Sequence, residues 1–132
     1  MADTEKIRKK IEADKFAEFM GIKLLELRDG YSKATMTVSD NMINFHGLAH
    51  GGAIFALMDA AFAAASNSRG QTAVALSIGL NYRSPARKGM KLVAEAFEES
   101  LGRKTALYHL TVRSEDGTLI ATSQGTVYLK TE

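Results

Sequence analysis

Residues 49–68, AHGGAIFALMDAAFAAASNS, constrain this chain more than any other stretch. They are nearly all Ala, Gly, Phe, Leu, Ile and Met, and they hold one acid, Asp59. A helix that is apolar on every side is either buried or spans a membrane. A span needs about 20 apolar residues. Here Asp59 interrupts the run, and Gly, Ser and Asn crowd its ends. The segment therefore reads as the buried helix of a soluble protein, from about Gly51 to Ser66. The question it raises is why that helix carries a carboxylate in its middle.

The rest of the chain supplies what such a helix packs against. Its 132 residues fit one domain. Residues 4 to 20 read as an amphipathic helix, with Ile7, Ile11, Phe16, Phe19 and Met20 near one face, stopped by Gly21. Two strands follow, 22–28 and 31–38, joined at Asp29-Gly30, a hairpin signal. Beyond the central helix come VALSIGLNY (74–82), KLVAEAFEES (91–100), TALYHLTVRS (105–114) and TLIATSQGTVYLK (118–130). Short turns join the last three, so they should form an antiparallel meander. With one long apolar helix to cover the sheet, the expected class is α+β: a curved antiparallel sheet wrapped around one central helix, with an extra N-terminal helix at 1–20.

Composition excludes several roles. There is no cysteine, hence no disulfide, thiolate nucleophile or Cys metal site. Three histidines with no acidic cluster at ligand spacing argue against metal. A net charge of +2 is too small to indicate nucleic-acid binding. The N-terminal segment has no apolar signal-peptide core. The expected location is cytoplasmic, with no membrane association and no cofactor.

The motif Asn44-x-x-Gly47-x-x-His50-Gly51-Gly52, followed by Phe55, Asp59 and Ala61, resembles the signature of PaaI-like hotdog-fold acyl-CoA thioesterases. The order of elements is similar as well, and NYRSPARKG (81–89) and GRKTA (102–106) stand where that family has its Tyr-x-x-Pro-Ala strand end and its Gly-Arg turn. The resemblance implies a single hotdog domain over 1–132 that hydrolyses an acyl-CoA thioester to a carboxylate and free CoA. It implies arylacetyl substrates of the phenylacetate-degradation type, with medium-chain acyl groups as the alternative. It also implies two equivalent sites at a twofold dimer interface, and a dimer of dimers.

Elementary chemistry supports the same residues. Thioester hydrolysis needs a stabiliser for the carbonyl oxygen and a base or nucleophile. Gly51 and Gly52 stand where a loop becomes a helix, whose first N–H groups lack intrahelical partners and whose dipole favours negative charge. The resemblance singles out the Gly51 N–H as the oxyanion donor. An Asp in apolar surroundings has its pKa pushed up, which suits a general base; direct attack to form a mixed anhydride is the other route open to Asp59. Eight residues separate it from Gly51, roughly 12 Å along the helix. A second copy of the helix, packed antiparallel, would bring the two groups together.

By resemblance, Asn44 helps hold the attacking water or the substrate, and His50 orders the loop or polarises the site. The expected pocket lies between Phe55, Met58 and Phe62 and the loop 41–50, with Gly52 at its edge and Phe45 and Met42 as apolar wall. Ser77 is the polar strand residue expected near the acyl group. Arg87, Lys88 and Arg103 are the candidates for the CoA phosphates, since Arg and Lys suit phosphate. Two rivals stand beside this reading. A hydroxyacyl dehydratase on the same fold would need a Gly-His-Pro-like setting, and the one proline is Pro85. A non-catalytic acyl-CoA binding or sensing protein would keep the pocket but need no carboxylate.

Overall fold

The computed structural model describes residues 4–131. The N-terminal segment forms two helices, α1 (Thr4–Glu12) and α2 (Lys15–Met20), where the sequence reading has one helix. Asp14 makes the break. Its side chain accepts hydrogen bonds from the Phe16 and Ala17 N–H groups at 3.0 and 3.1 Å, capping a new helix with extended backbone of its own. Gly21 ends α2 in the left-handed conformation, φ 73°. The break turns Phe16 and Phe19 out to solvent rather than onto a common buried face. Residues 1–3 of the expected helix lie outside the described residues.

Six strands follow: β1 (Lys23–Arg28), β2 (Tyr31–Thr37), β3 (Ala73–Tyr82), β4 (Lys91–Leu101), β5 (Thr105–Ser114) and β6 (Leu119–Leu129). They form one antiparallel sheet in the order β1-β2-β4-β5-β6-β3. The meander of β4, β5 and β6 is as expected. β3 pairs with β6 and stands at one edge, with Val74, Leu76 and Tyr82 exposed.

The central helix α3 (Gly51–Ser66) lies on one face of this sheet. Ile54, Leu57, Met58, Ala61, Phe62 and Ala65 form its buried face. Alternate strand residues meet them, among them Ala34 and Met36, Leu92, Ala94 and Ala96, and Tyr108, Leu110 and Val112. Alanines on both partners keep helix and sheet close. Gly125 extends that logic: a Cβ there would stand 2.8 Å from Cζ of Phe62. The Asp29-Gly30 hairpin is tied to the far end of α3, where the Gly30 N–H donates to Ser68 Oγ at 2.8 Å. No helix among the described residues is long and apolar enough to cross a membrane.

Candidate active site

The start of α3 is built by a loop that folds on itself. The Asn44 side-chain oxygen accepts from the His46 and Leu48 N–H groups at 2.9 and 3.1 Å, and the Asn44 N–H donates to the Leu48 carbonyl at 2.8 Å. A short 3-10 turn over Asp40–Met42 leads in, and the His50 N–H bonds the Met42 carbonyl at 2.6 Å. The Ala49 N–H donates to the Ala86 carbonyl at 2.8 Å, docking the loop on the segment between β3 and β4. His50 is then held at the N-cap of α3.

At that cap the first two glycines of the helix part company. The Gly52 N–H donates to Nδ1 of His50 at 2.9 Å. The neutral His50 ring therefore carries its proton on Nε2. The Gly51 N–H has no acceptor among the described residues. Tyr82, at the end of β3, donates its hydroxyl to the Gly51 carbonyl at 2.8 Å. Burial raises the Tyr82 pKa, so the phenol keeps its proton. One open backbone donor thus sits at the positive end of a 16-residue helix. Tyr82 is the residue the sequence reading left without a role; its place in the NYRSPAR segment was the available signal.

Asp59 lies on the face of α3 turned away from the sheet, in line with Gly52, Phe55, Ala56, Ala60 and Ala63. These are apolar or side-chain-free neighbours, and they deprive the carboxylate of part of its water. Desolvation raises the Asp59 pKa from 3.8, and the nearby Asp14 carboxylate raises it further. Among the described residues no hydrogen bond or ion pair holds Asp59, so it is not a core acid locked to a buried partner there.

Other expected positions fall differently. Met58 and Phe62 belong to the sheet-covered face of α3 and are wholly buried; Met42 is buried too. Met58 and Phe62 occupy the face of α3 that the sheet takes, which removes them from solvent. Phe55 is half-buried on the opposite side, and Phe45 is 92 % exposed, its ring set against His46 at 3.9 Å. Ser77 shares with Gly79, Asn81 and His109 the sheet face pointing away from α3, since Gly125 and its alternates point toward the helix. Arg87 and Lys88 stand at the Gly51 end of the molecule, where Lys88 Nζ lies 3.3 Å from Asp40. Arg103 follows β4 at the other end. The eleven residues of β4 separate them, roughly 35 Å of strand path. One chain does not gather these cations on one phosphate group.

A curved antiparallel sheet on one apolar helix, with a free N–H at the helix start and a lone acid on its open face, defines the hotdog thioesterase class. The model of the thioesterase superfamily matches residues 46–121. The chain is 45 % identical to a putative esterase of Archaeoglobus fulgidus, over 87 % of this chain and 75 % of that one. It is 34 % identical to the acyl-coenzyme A thioesterase PaaI of Escherichia coli, over 86 % and 81 %. The solved structure of E. coli PaaI superposes with a TM-score of 0.93 over 98 % of this chain and 97 % of that one, at 30 % identity in the superposition. A Streptococcus mutans protein solved bound to acetyl CoA superposes with a TM-score of 0.80 over 84 % and 90 %, at 28 % identity. The chain belongs to the thioesterase superfamily, as a PaaI-like hotdog thioester hydrolase.

Proposed function

We propose that this thioesterase hydrolyses acyl-CoA, with the Gly51 N–H of one subunit and Asp59 of a second subunit acting on one thioester carbonyl. The observation that carries this reading is the division of labour at the cap. His50 occupies the Gly52 N–H and leaves the Gly51 N–H open, on the same helix that exposes an acid of raised pKa. The E. coli relative, an acyl-coenzyme A thioesterase, and the S. mutans protein bound to acetyl CoA support CoA as the thiol.

The chemistry follows from these groups. The substrate carbonyl oxygen takes the Gly51 N–H, and negative charge develops on it as oxygen adds. Asp59, in its ionised form, either takes a proton from water as the water attacks or attacks the carbonyl itself. On the first route, collapse of the tetrahedral intermediate expels CoA thiolate and leaves the product acid; on the second it expels CoA thiolate and leaves a mixed anhydride on Asp59, which water then hydrolyses to the carboxylate and free Asp59. The Asn44 side-chain oxygen is spent on the loop, so a substrate or water contact falls to its amide nitrogen. Gly51 and Asp59 stand roughly 12 Å apart along one helix, which favours a partner helix as the source of the second group. Phe55 and Ala56, in the first half of the open α3 face, and the exposed edge of β3 suit a second copy, with a dimer of dimers as the assembly. Arg87 and Lys88, at the Gly51 end, are the nearer cations for the CoA phosphates.

The test is thiol release from a panel of acyl-CoAs by wild type and Asp59→Ala. The expected result is a loss of kcat of about 100-fold or more with the fold retained. Undiminished turnover in the variant would remove Asp59 from the reaction.

A further inference from the structure

A cavity of about 700 Å³ lies between the N-terminal helices and the open face of α3. Ile7 and Ile11 of α1 roof it, Leu24 and Leu25 of β1 form one side, and Ala60 and Ala63 of α3 form the floor. Two consecutive leucines reach one cavity because β1 bulges: its register against β2 slips between Leu24 and Glu26. The charged residues around it, Lys10, Glu12, Asp14, Glu18 and Lys23, are exposed, and Asn67 and Thr72 are the polar residues beside them. No aromatic ring lines it among the described residues. Asp59 directly precedes the floor residue Ala60, and Asp14, on the cavity wall, lies close enough to act on the Asp59 carboxylate.

We propose that this cavity receives the hydrocarbon tail of a straight-chain acyl thioester, so that the enzyme favours medium and long aliphatic acyl groups over arylacetyl groups. The proposal rests on the thioesterase reading above and reverses the substrate preference that the PaaI resemblance implies. Size is the first support, since small-molecule sites span about 300–1,000 Å³. The wall is the second. Aromatic groups gain from stacked or edge-to-face rings, and this wall offers none, whereas a flexible chain needs only apolar surface. Each methylene buried strengthens binding by roughly fourfold, so preference should grow with chain length. Position is the third. A thioester carbonyl attacked at Asp59 has its acyl carbons beside Ala60, at the cavity floor. The roof is lightly held: α1 has no buried residue, and Arg8 Nη2 donates to the Leu24 carbonyl at 2.7 Å.

The experiment compares kcat/KM for acetyl-, hexanoyl-, dodecanoyl- and phenylacetyl-CoA in wild type, Ala63→Phe and Ile11→Phe, which fill the cavity from opposite walls. Wild type should favour dodecanoyl-CoA over both acetyl- and phenylacetyl-CoA. Both variants should lower the ratio of dodecanoyl- to acetyl-CoA activity at least about tenfold; the ratio is insensitive to any loss of folded protein. A ratio unchanged in both variants, or a wild type that favours phenylacetyl-CoA, overturns the proposal. Absence of thiol release from every substrate would instead sink the thioesterase reading. The cavity is then judged by calorimetric titration with dodecanoate. Binding to wild type that is lost in Ala63→Phe sustains it, and no binding to wild type overturns it.

Discussion

The hydroxyl of Tyr82 donates to the carbonyl of Gly51 at 2.8 Å, and a Cβ on Gly51 would stand 2.9 Å from that same oxygen. The last residue of β3 therefore both orients the first peptide of α3 and forbids a side chain there. This explains the glycine better than backbone freedom does, since the residue lies within the helix and its φ is not positive. Tyr82→Phe keeps the ring and removes the bond. We expect kcat to fall about fivefold with KM nearly unchanged, the size of one hydrogen bond of roughly 1 kcal/mol felt mainly in the transition state. Gly51→Ala, which retains the N–H but displaces Tyr82, should lose more activity than Tyr82→Phe. Steady-state kinetics on the two purified variants decides this, and a KM effect alone would assign Tyr82 to substrate binding instead.

Asp14 and Asp59 form a second relationship across α2 and α3. Ionised Asp59 is the active form, so kcat should rise with pH through an apparent pKa above 3.8. Asp14→Asn removes one of the two causes of that rise and should move the acid limb of the profile to lower pH. Desolvation, the larger cause, remains, so the limb should not return fully to 3.8. An unmoved profile would show that the two carboxylates are uncoupled. The variant should keep most of the cap, because asparagine caps a helix about as well as aspartate.

The same shift has a consequence for stability, with a definite sign. The folded-state pKa of Asp59 is raised, so the folded protein holds this proton more tightly than the unfolded chain. The ionised group lowers stability progressively as pH climbs from the unfolded-state value through the folded one. Below that window the effect vanishes. Asp59→Asn should therefore melt higher than wild type at neutral pH, and the difference should close as pH falls toward 3.8. Thermal melts across that range test it, and an inactive variant that is also more stable would mark Asp59 as a group retained for chemistry.

Gly125 of β6 faces Phe62, whose ring also meets Tyr108 edge-on at 5.7 Å. Phe62 is wholly buried and has no free direction in which to retreat. Gly125→Ala should cost about 1–3 kcal/mol by overpacking, read as a lowered midpoint in denaturant. Gly79 of β3 pairs with Gln124, the neighbour of Gly125 on β6, and has nothing near its own Cβ position. Alanine there should be tolerated, which makes it the internal control.

Much of this molecule is local and was legible in the residues. The bounds of α3 follow from an apolar run between His50 and Asn67, and the meander follows from strand-length runs separated by Gly102 and Asp116-Gly117. That the partnerless first N–H groups of a helix and a lone acid share α3 was legible for the same reason, whereas Gly51 as the donor came from the family resemblance. Helix caps and alternation are properties of neighbours in sequence. Asp14 shows the limit of such reading. Its side chain and the following N–H groups favour a cap, while the apolar spacing around it favours one continuous helix, and the cap wins. Which face of α3 would stay open was not legible, because Met58 and Phe62 are as apolar as Phe55. Only the seating of the sheet separates them. Nor could spacing reveal that Arg87 and Arg103 lie at opposite ends of β4, that Tyr82 closes on Gly51, or that a bulge in β1 turns two leucines into one cavity wall. Those are contacts between residues far apart in the chain, made by packing and register. Sequence alone therefore determined the elements and their chemistry, and tertiary structure decided which groups meet.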